Sequence, residues 1–512
     1  MTAIRTIGII ALGLGLCASS AAAQGDPPAP TAPTPDQEPT IEQRLRVLPI
    51  NDYAARGALP TPADLELLVK EKDVTGIICL LEDKELPAEL REAAQKAGAA
   101  FEIHSLGFHP DRPPSEARIN RQAVHKVVDL IKGMTAGRTY VHCDTTGNRA
   151  SVIEFAYRVS VNGWDYAQAL RQAVDHGFKP GEMPGLVEDM KLLASGLEEL
   201  PVIEGIDISS RDLLGPGEPV TVGGVRLNTK TMGEGPPVYI IHGGPGESHT
   251  QYRPYLDALA DGHMLVYYDQ RGCGSSGRPQ FAEAYTIDRL VTELEGLRVK
   301  LGHERISLVA HSSGGGIALK YALAYPQHVD KLVIVSSWAS GEEFVRNSGL
   351  VQQLMSPDDV QAYQTIDAKR RKERRMLNDS EIAELAKMSY PANFFGVMSP
   401  QFREEWNRRA QVSALAWYAL TPEFFVTYDI REQLANLSAL PTLVIVGKFD
   451  VITPPSIMQT IAGGIKGARY EVFERSGHFP MVEEHDRFIK LVSEFLDSES
   501  PAAVEPKEST SS

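Results

Sequence analysis

The chain has 512 residues, 43% of them hydrophobic, and a formal net charge of −16. That length supports more than one ordinary domain core, and a diffuse acidic balance argues against nucleic acid or an anionic membrane surface as the main partner. Four cysteines, one of them in the leader, are too few for a disulfide framework.

Residues 1–23 read as a cleaved signal peptide. Arg5 supplies the charged start, Ile7 to Leu16 an apolar core too short to span a bilayer as a stable helix, and Ala21-Ala22-Ala23 the cleavage motif. Cys17 invites lipid attachment, but Leu16 precedes it where that chemistry wants a small residue. The product is therefore expected to be exported, to a periplasm or the exterior. Residues 24–40, rich in Pro, Ala and Thr, read as an extended linker.

Residues 41–200 form a first unit. Strand patterns at 75–81, 99–106 and 138–143 alternate with helical ones at 62–71, 88–97, 116–134, 149–161 and 166–176, an α/β pattern. The third strand ends in His142-Cys143, and five residues separate Cys143 from Arg149. Backbone N–H groups in such a loop can surround an anion at a helix N-terminus, and Arg149 can bind its oxygens. The same groups would lower the pKa of the Cys143 thiol. Asp111, in the loop from Phe108 to Pro114, is the candidate general acid.

From Asp52 to His176 this unit resembles the dual-specificity phosphatase superfamily, whose loop reads HC-x5-R. Thr146 stands where that family has Gly, Asp144 adds a negative charge, and Ala150 replaces a Ser or Thr. The resemblance implies a phosphoester ligand and leaves three readings open: a phosphatase acting through Cys143, an anion-binding module that anchors its neighbour, or an unrelated role for the loop. Some members of that superfamily protect the catalytic cysteine by pairing it with a neighbouring one, which makes a Cys79–Cys143 disulfide a hypothesis for an exported protein.

Residues 201–219 are a connector broken by Gly215-Pro216-Gly217, and 220–496 form a second unit. Strand-like runs are expected at 220–232, 237–241, 264–268, 306–310, 332–336 and 442–446. A mostly helical insertion covers about 341–436. It contains Trp406, Trp417 and the basic run Lys369 to Arg375, read as a solvated helix face. The tail, 497–512, has the Ser/Glu/Pro composition of a disordered segment.

The chemistry of this unit centres on Ala310-His311-Ser312-Ser313-Gly314, between an apolar strand and a helix-forming run. A serine at the tip of a strand–turn–helix corner stands clear of the sheet, and small residues two before and two after let the elements close up. Ser312 is the predicted nucleophile. Asp450 lies just past a late strand, and His478 lies in a Gly-containing loop before the last helix. In that order, His478 can take the Ser312 proton while Asp450 fixes its tautomer. The turn His242-Gly243-Gly244-Pro245-Gly246 can aim N–H groups at an oxyanion, so Gly243 and Gly244, with the Ser313 amide, are the expected oxyanion hole.

With Asp269-Gln270-Arg271-Gly272-Cys273-Gly274-Ser275-Ser276 and Tyr285 to Val291, these stretches resemble the prolyl iminopeptidase-like group of α/β-hydrolases. That group carries HGGPG and DQRG-x-G-x-S. The resemblance implies a helical cap over the site and removal of N-terminal residues, proline foremost, from small peptides; the sequence shows no metal-ligand cluster, and Ser-His-Asp chemistry needs no cofactor. The family's amine-binding cap acids, one in a Trp-Glu step, have no match here: Tyr418 follows Trp417 and Asn407 follows Trp406. Glu404, Glu405 and Glu423 are the available substitutes, and an esterase on the same scaffold is the alternative. Asp269 and Arg271 are expected to pair structurally, and Cys273 to be a buried small residue. The expectation is thus a cysteine-phosphatase-like α/β domain followed by an α/β-hydrolase domain with a helical cap. No stable membrane span is expected, and the oligomeric state is left open.

Overall fold

The computed structural model describes residues 39–107, 113, 118–144, 147–204 and 217–499. The leader, Asp111, most of both linkers and nearly all of the tail lie outside the described residues. Contacts divide the chain into two compact units, separated between Leu200 and Pro201, with Gln353–Asp358 grouping with the first.

The first unit holds a five-stranded sheet: β1 (Leu48–Pro49), β2 (Ala54–Gly57), β3 (Val74–Cys79), β4 (Ala100–Ile103) and β5 (Arg138–His142), in the order β1-β2-β5-β3-β4. All neighbours run parallel except β1 and β2. The three expected strands are present with trimmed ends, while β1 and β2 were not anticipated. The expected helix at 116–134 is Arg121–Lys132, started by Asn120, whose side chain accepts from the Ala123 N–H. A helix not anticipated, Pro184–Ser195, carries proline at its start and ends on Gly196 at φ 72°.

The second unit contains a short parallel pair, β6 (Val202–Ile203) with β13 (Val397–Met398), and an eight-stranded sheet. The sheet comprises β7 (Glu218–Val222), β8 (Val225–Met232), β9 (Pro237–Ile241), β10 (Met264–Tyr268), β11 (Ile306–His311), β12 (Val329–Val335), β14 (Thr442–Gly447) and β15 (Arg469–Phe473). Its order is β15-β14-β12-β11-β9-β10-β8-β7. The run expected as one strand over 220–232 is a hairpin. Gly223 and Gly224, at φ 56° and 82°, supply the positive φ pair that a two-residue turn requires.

From β10 to β15 the strands are mutually parallel, and successive residues bury themselves on opposite faces. Leu308, Ala310, Leu332, Ile334, Val444 and Val446 join one core. Val309, Val333, Val335, Leu443 and Ile445 join the other. Burial on both faces explains the continuous apolar runs of these strands, and each such side chain stabilises the fold by roughly 1.5–3 kcal/mol. The insertion between β12 and β14 is helical as expected, with helices Gly341–Gln353, Pro357–Glu373, Asp379–Ser389, Pro400–Arg408 and Ala414–Pro422. Within its basic run, Arg370 and Arg371 pair with Asp367, and Arg375 with Glu373 and Glu381. Among the described residues no helix is long and apolar enough to cross a membrane.

Candidate active site

Open parallel sheets bind ligands at the carboxyl ends of their strands. Every residue expected in the second unit's site lies there. Ser312 follows β11, the glycine turn follows β9, Asp450 follows β14 and His478 follows β15.

Ser312 is only partly buried and takes φ 54°, ψ −127°. A non-glycine residue in that region costs about 1–3 kcal/mol and persists only where its surroundings impose it. The cause is close packing. The Ser312 N–H donates to Val335 O at 3.0 Å. A side chain on Gly314 would run into the Ile241 and His242 carbonyls, and one on Gly243 would come within 2.7 Å of Ser312 Cβ. The Ser313 amide opens the helix Ser313–Ala324, where no earlier turn offers it a carbonyl.

His478 Nδ1 donates to Asp450 Oδ2 at 2.8 Å, which leaves Nε2 as the acceptor. Asp450 is fully buried and also accepts from the Ile452 and Thr453 N–H groups, each at 2.9 Å, and from Thr453 Oγ1 at 2.8 Å. Burial alone would raise the Asp450 carboxyl. The charge and hydrogen bond of His478, with the Thr453 donors, outweigh it and hold the carboxyl at about 2. The loop carrying His478 is tied to the helical insertion: its N–H donates to Asn393 O at 2.7 Å. Glu483 accepts from Gly477 N at 2.6 Å and from Phe395 and Gly396 N at 2.7 and 2.9 Å.

A chain of hydrogen bonds not visible in the sequence joins the serine turn to its neighbours. Gly243 N–H donates to Tyr252 OH at 2.7 Å, and Tyr252 OH lies 2.9 Å from His311 Nδ1. His311 Nε2 lies 2.7 Å from the His478 carbonyl. A carbonyl only accepts, so His311 carries its proton on Nε2 and Tyr252 donates to Nδ1. Burial, and then His478, push the His311 pKa down to about 3, so the ring stays neutral as this pattern requires. The chain corrects the expected oxyanion hole: the Gly243 N–H is already engaged by Tyr252. Gly244 and Ser313 are the other two amides expected there.

The two glycine-rich motifs hold each other. Gln270 N donates to His242 Nε2 at 3.0 Å, and Gln270 Nε2 to His242 O at 2.7 Å. Asp269 and Arg271 do not pair together as expected. Asp269 accepts from His249, Asn228 and the Ser275 N–H, while Arg271 bonds Glu293 at 2.9 and 2.5 Å. Cys273 is a buried residue whose thiol pKa burial raises.

In the first unit the surroundings of Cys143 disfavour its thiolate. Cys143 is 0% exposed. Burial, and then Asp144, push its thiol up to about 12, against the opposing help of the Ala150 amide and of the Arg149 charge and amide. Arg149 is held by Glu85 in a two-pronged pair at 2.9 and 3.1 Å. Cys79 and Cys143 sit in or at the end of adjacent strands, yet both are free thiols, so the expected disulfide is not formed.

Residues 236–485 match the family described as "alpha/beta hydrolase fold". The chain is 33% identical over 268 residues to a proline iminopeptidase of Saccharolobus solfataricus, covering 50% of this chain and 83% of that protein. It is 32% identical over 306 residues to a 2-hydroxymuconate semialdehyde hydrolase of Pseudomonas sp. (strain CF600), covering 56% of this chain and 96% of that protein. The solved structure of an esterase from Exiguobacterium antarcticum is 22% identical with a TM-score of 0.46, covering 55% of this chain and all of that one.

Proposed function

The chain belongs to the α/β-hydrolase fold family, and from that premise we propose that it is a serine hydrolase working through Ser312, His478 and Asp450. Its proposed substrates are small peptides, cleaved after their N-terminal residue, with carboxylic esters as the competing class. The observation that carries this reading is the buried Asp450–His478 bond, set at the same sheet edge as the strained Ser312 turn.

His478 Nε2 accepts the Ser312 hydroxyl proton as Oγ attacks the substrate carbonyl. The oxygen that becomes negative is received by the Gly244 and Ser313 amides, fixed donors that need no reorganisation as charge develops. The imidazolium formed on His478 is stabilised by Asp450, which stays ionised, and its proton then passes to the leaving amine or alkoxide. Water, deprotonated by His478, hydrolyses the acyl-enzyme in the second half. The likeness to a protein named proline iminopeptidase supports a peptide N-terminus as substrate. The helical insertion, through Asn393, Phe395 and Gly396, acts as the cap that positions the His478 loop. Residues 1–23 would direct export.

No activity is assigned to the first unit: Cys143 is buried, burial and Asp144 push its thiol up, and Arg149 is held by Glu85. One panel tests the whole reading. Proline 2-naphthylamide, a nitrophenyl ester and nitrophenyl phosphate are offered to wild type, Ser312→Ala and Cys143→Ser. Amide or ester cleavage that disappears with Ser312→Ala and survives Cys143→Ser is the expected result. Cleavage untouched by Ser312→Ala contradicts it, and phosphate release lost in Cys143→Ser would restore the first unit as an enzyme.

A further inference from the structure

Glu247 closes the turn that holds the oxyanion donors. Its N–H donates to Gly244 O at 2.8 Å, and its carboxylate folds back over Gly244, where any side chain on that glycine would run into it. The residue as a whole is only partly buried. Gln251 hydrogen-bonds its carboxylate, and the groups that feel its charge are His478, Tyr252, Tyr390 and Cys273. Burial pushes the two tyrosines and the thiol further toward their neutral forms. Of this group only His478 can become a cation, and its Nδ1 is already bonded to Asp450. Burial raises the Glu247 carboxyl to about 7, with His478 and Gln251 opposing.

An ionised carboxylate beside the amide donors opposes the negative charge that a tetrahedral intermediate places on them. A positive charge brought by the substrate removes that conflict. The α-amine of an N-terminal residue lies two bonds from the carbonyl carbon, about 2.5 Å away. With the carbonyl oxygen on Gly244 and Ser313, that amine falls within reach of a carboxylate lying over Gly244. The acids considered as cap substitutes are otherwise engaged or placed. Glu423 accepts from Ile287 N at 2.6 Å beside Lys320. Glu405 lies near Tyr255 together with Arg409, and Glu404 is exposed.

We propose that Glu247 is the specificity-determining carboxylate of this site, pairing with the protonated α-amine of the residue to be released and so selecting peptides and esters with a free N-terminal amine. This rests on Ser312 being the nucleophile. It places selection in the oxyanion turn itself, next to the bond being broken.

The test compares proline p-nitroanilide with its N-acetylated form on wild type and Glu247→Gln, with Ser312→Ala alongside. Wild type is expected to favour the free amine at least tenfold in kcat/KM. Glu247→Gln is expected to lower that preference at least tenfold, mostly through KM. A wild type without the preference, or a preference the substitution leaves unchanged, overturns the proposal. If the variant does not fold, the wild-type preference decides. It should fall as pH drops through about 7, where the carboxylate takes up a proton, and a preference flat from pH 5 to 8 overturns the proposal. Hydrolysis retained in Ser312→Ala refutes the underlying serine reading instead, and is distinguished by that arm alone.

Discussion

Ser312 and Cys143 occupy the same kind of local position. Each lies just past a parallel strand, β11 or β5, and before a helix, Ser313–Ala324 or Asn148–Ser160. Each turn includes a residue at positive φ, Ser312 itself at 54° and Gly147 at 74°. Their surroundings diverge. Ser312 is left partly exposed, at the sheet edge where a histidine is already bound to a buried carboxylate. Cys143 is sealed, its nearby arginine is engaged by Glu85, and Asp144 adds a like charge. A helix N-terminus favours an anion by about 0.3–1 kcal/mol, rising to ~2 in buried geometry. Moving a thiol from 9.0 to about 12 corresponds to roughly 4 kcal/mol against the thiolate. Burial therefore wins at Cys143, and the same motif that could activate a nucleophile here packs a core.

The contrast breaks most visibly through Ser312→Ala, expected to lower amide and ester turnover by roughly a thousandfold or more with little change in melting temperature. Steady-state kinetics and thermal unfolding measure both. Tyr252→Phe sharpens it, because it cuts the link from Gly243 to His311 without touching Ser312, His478 or Asp450. Two buried groups lose their partner, so stability should fall by about 2 kcal/mol and kcat by about tenfold, with KM little moved.

Asp269 tests whether the glycine motifs are held by charge. Its carboxyl, which burial would raise, is held at about 2 chiefly by His249, below its ordinary 3.8. Its stabilisation is complete above pH 4 and lost as pH falls through 2, and amounts to about 2 kcal/mol. Asp269→Asn should flatten that acid limb in unfolding measured from pH 2 to 5. The smallest effect is expected from Cys143→Ser, which should leave amide and ester turnover within twofold of wild type.

The order of the proposed catalytic residues, and their places at strand ends, were readable because each sits on a local signal: small residues flanking Ser312, a strand end before Asp450, a glycine before His478. Buried parallel strands were readable as apolar runs for the same reason. Gly223-Gly224 broke one such run, and the two-glycine turn signal there outweighed the apolar pattern on either side. What escaped are contacts between distant residues. The Tyr252–His311 link, the Glu483 clamp on Gly477, Phe395 and Gly396, and the separate partners of Asp269 and Arg271 join positions that no sequence spacing brings together. The engaged Gly243 N–H is the clearest instance: the glycine pair announces a donor turn, while only the neighbouring tyrosine decides which amide is left to act. At Cys143 the spacing to Arg149 was legible, but the burial that raises the thiol, and the Glu85 carboxylate that takes the arginine, were not.

The central claim is that Ser312 is the activated nucleophile. Treating the protein with a fluorophosphonate, which phosphonylates activated serines, and mapping the adduct by peptide mass spectrometry tests it most directly. The adduct is predicted on Ser312, absent in Ser312→Ala and strongly slowed in His478→Ala. Labelling that persists at another residue in Ser312→Ala, with hydrolysis retained, would contradict it.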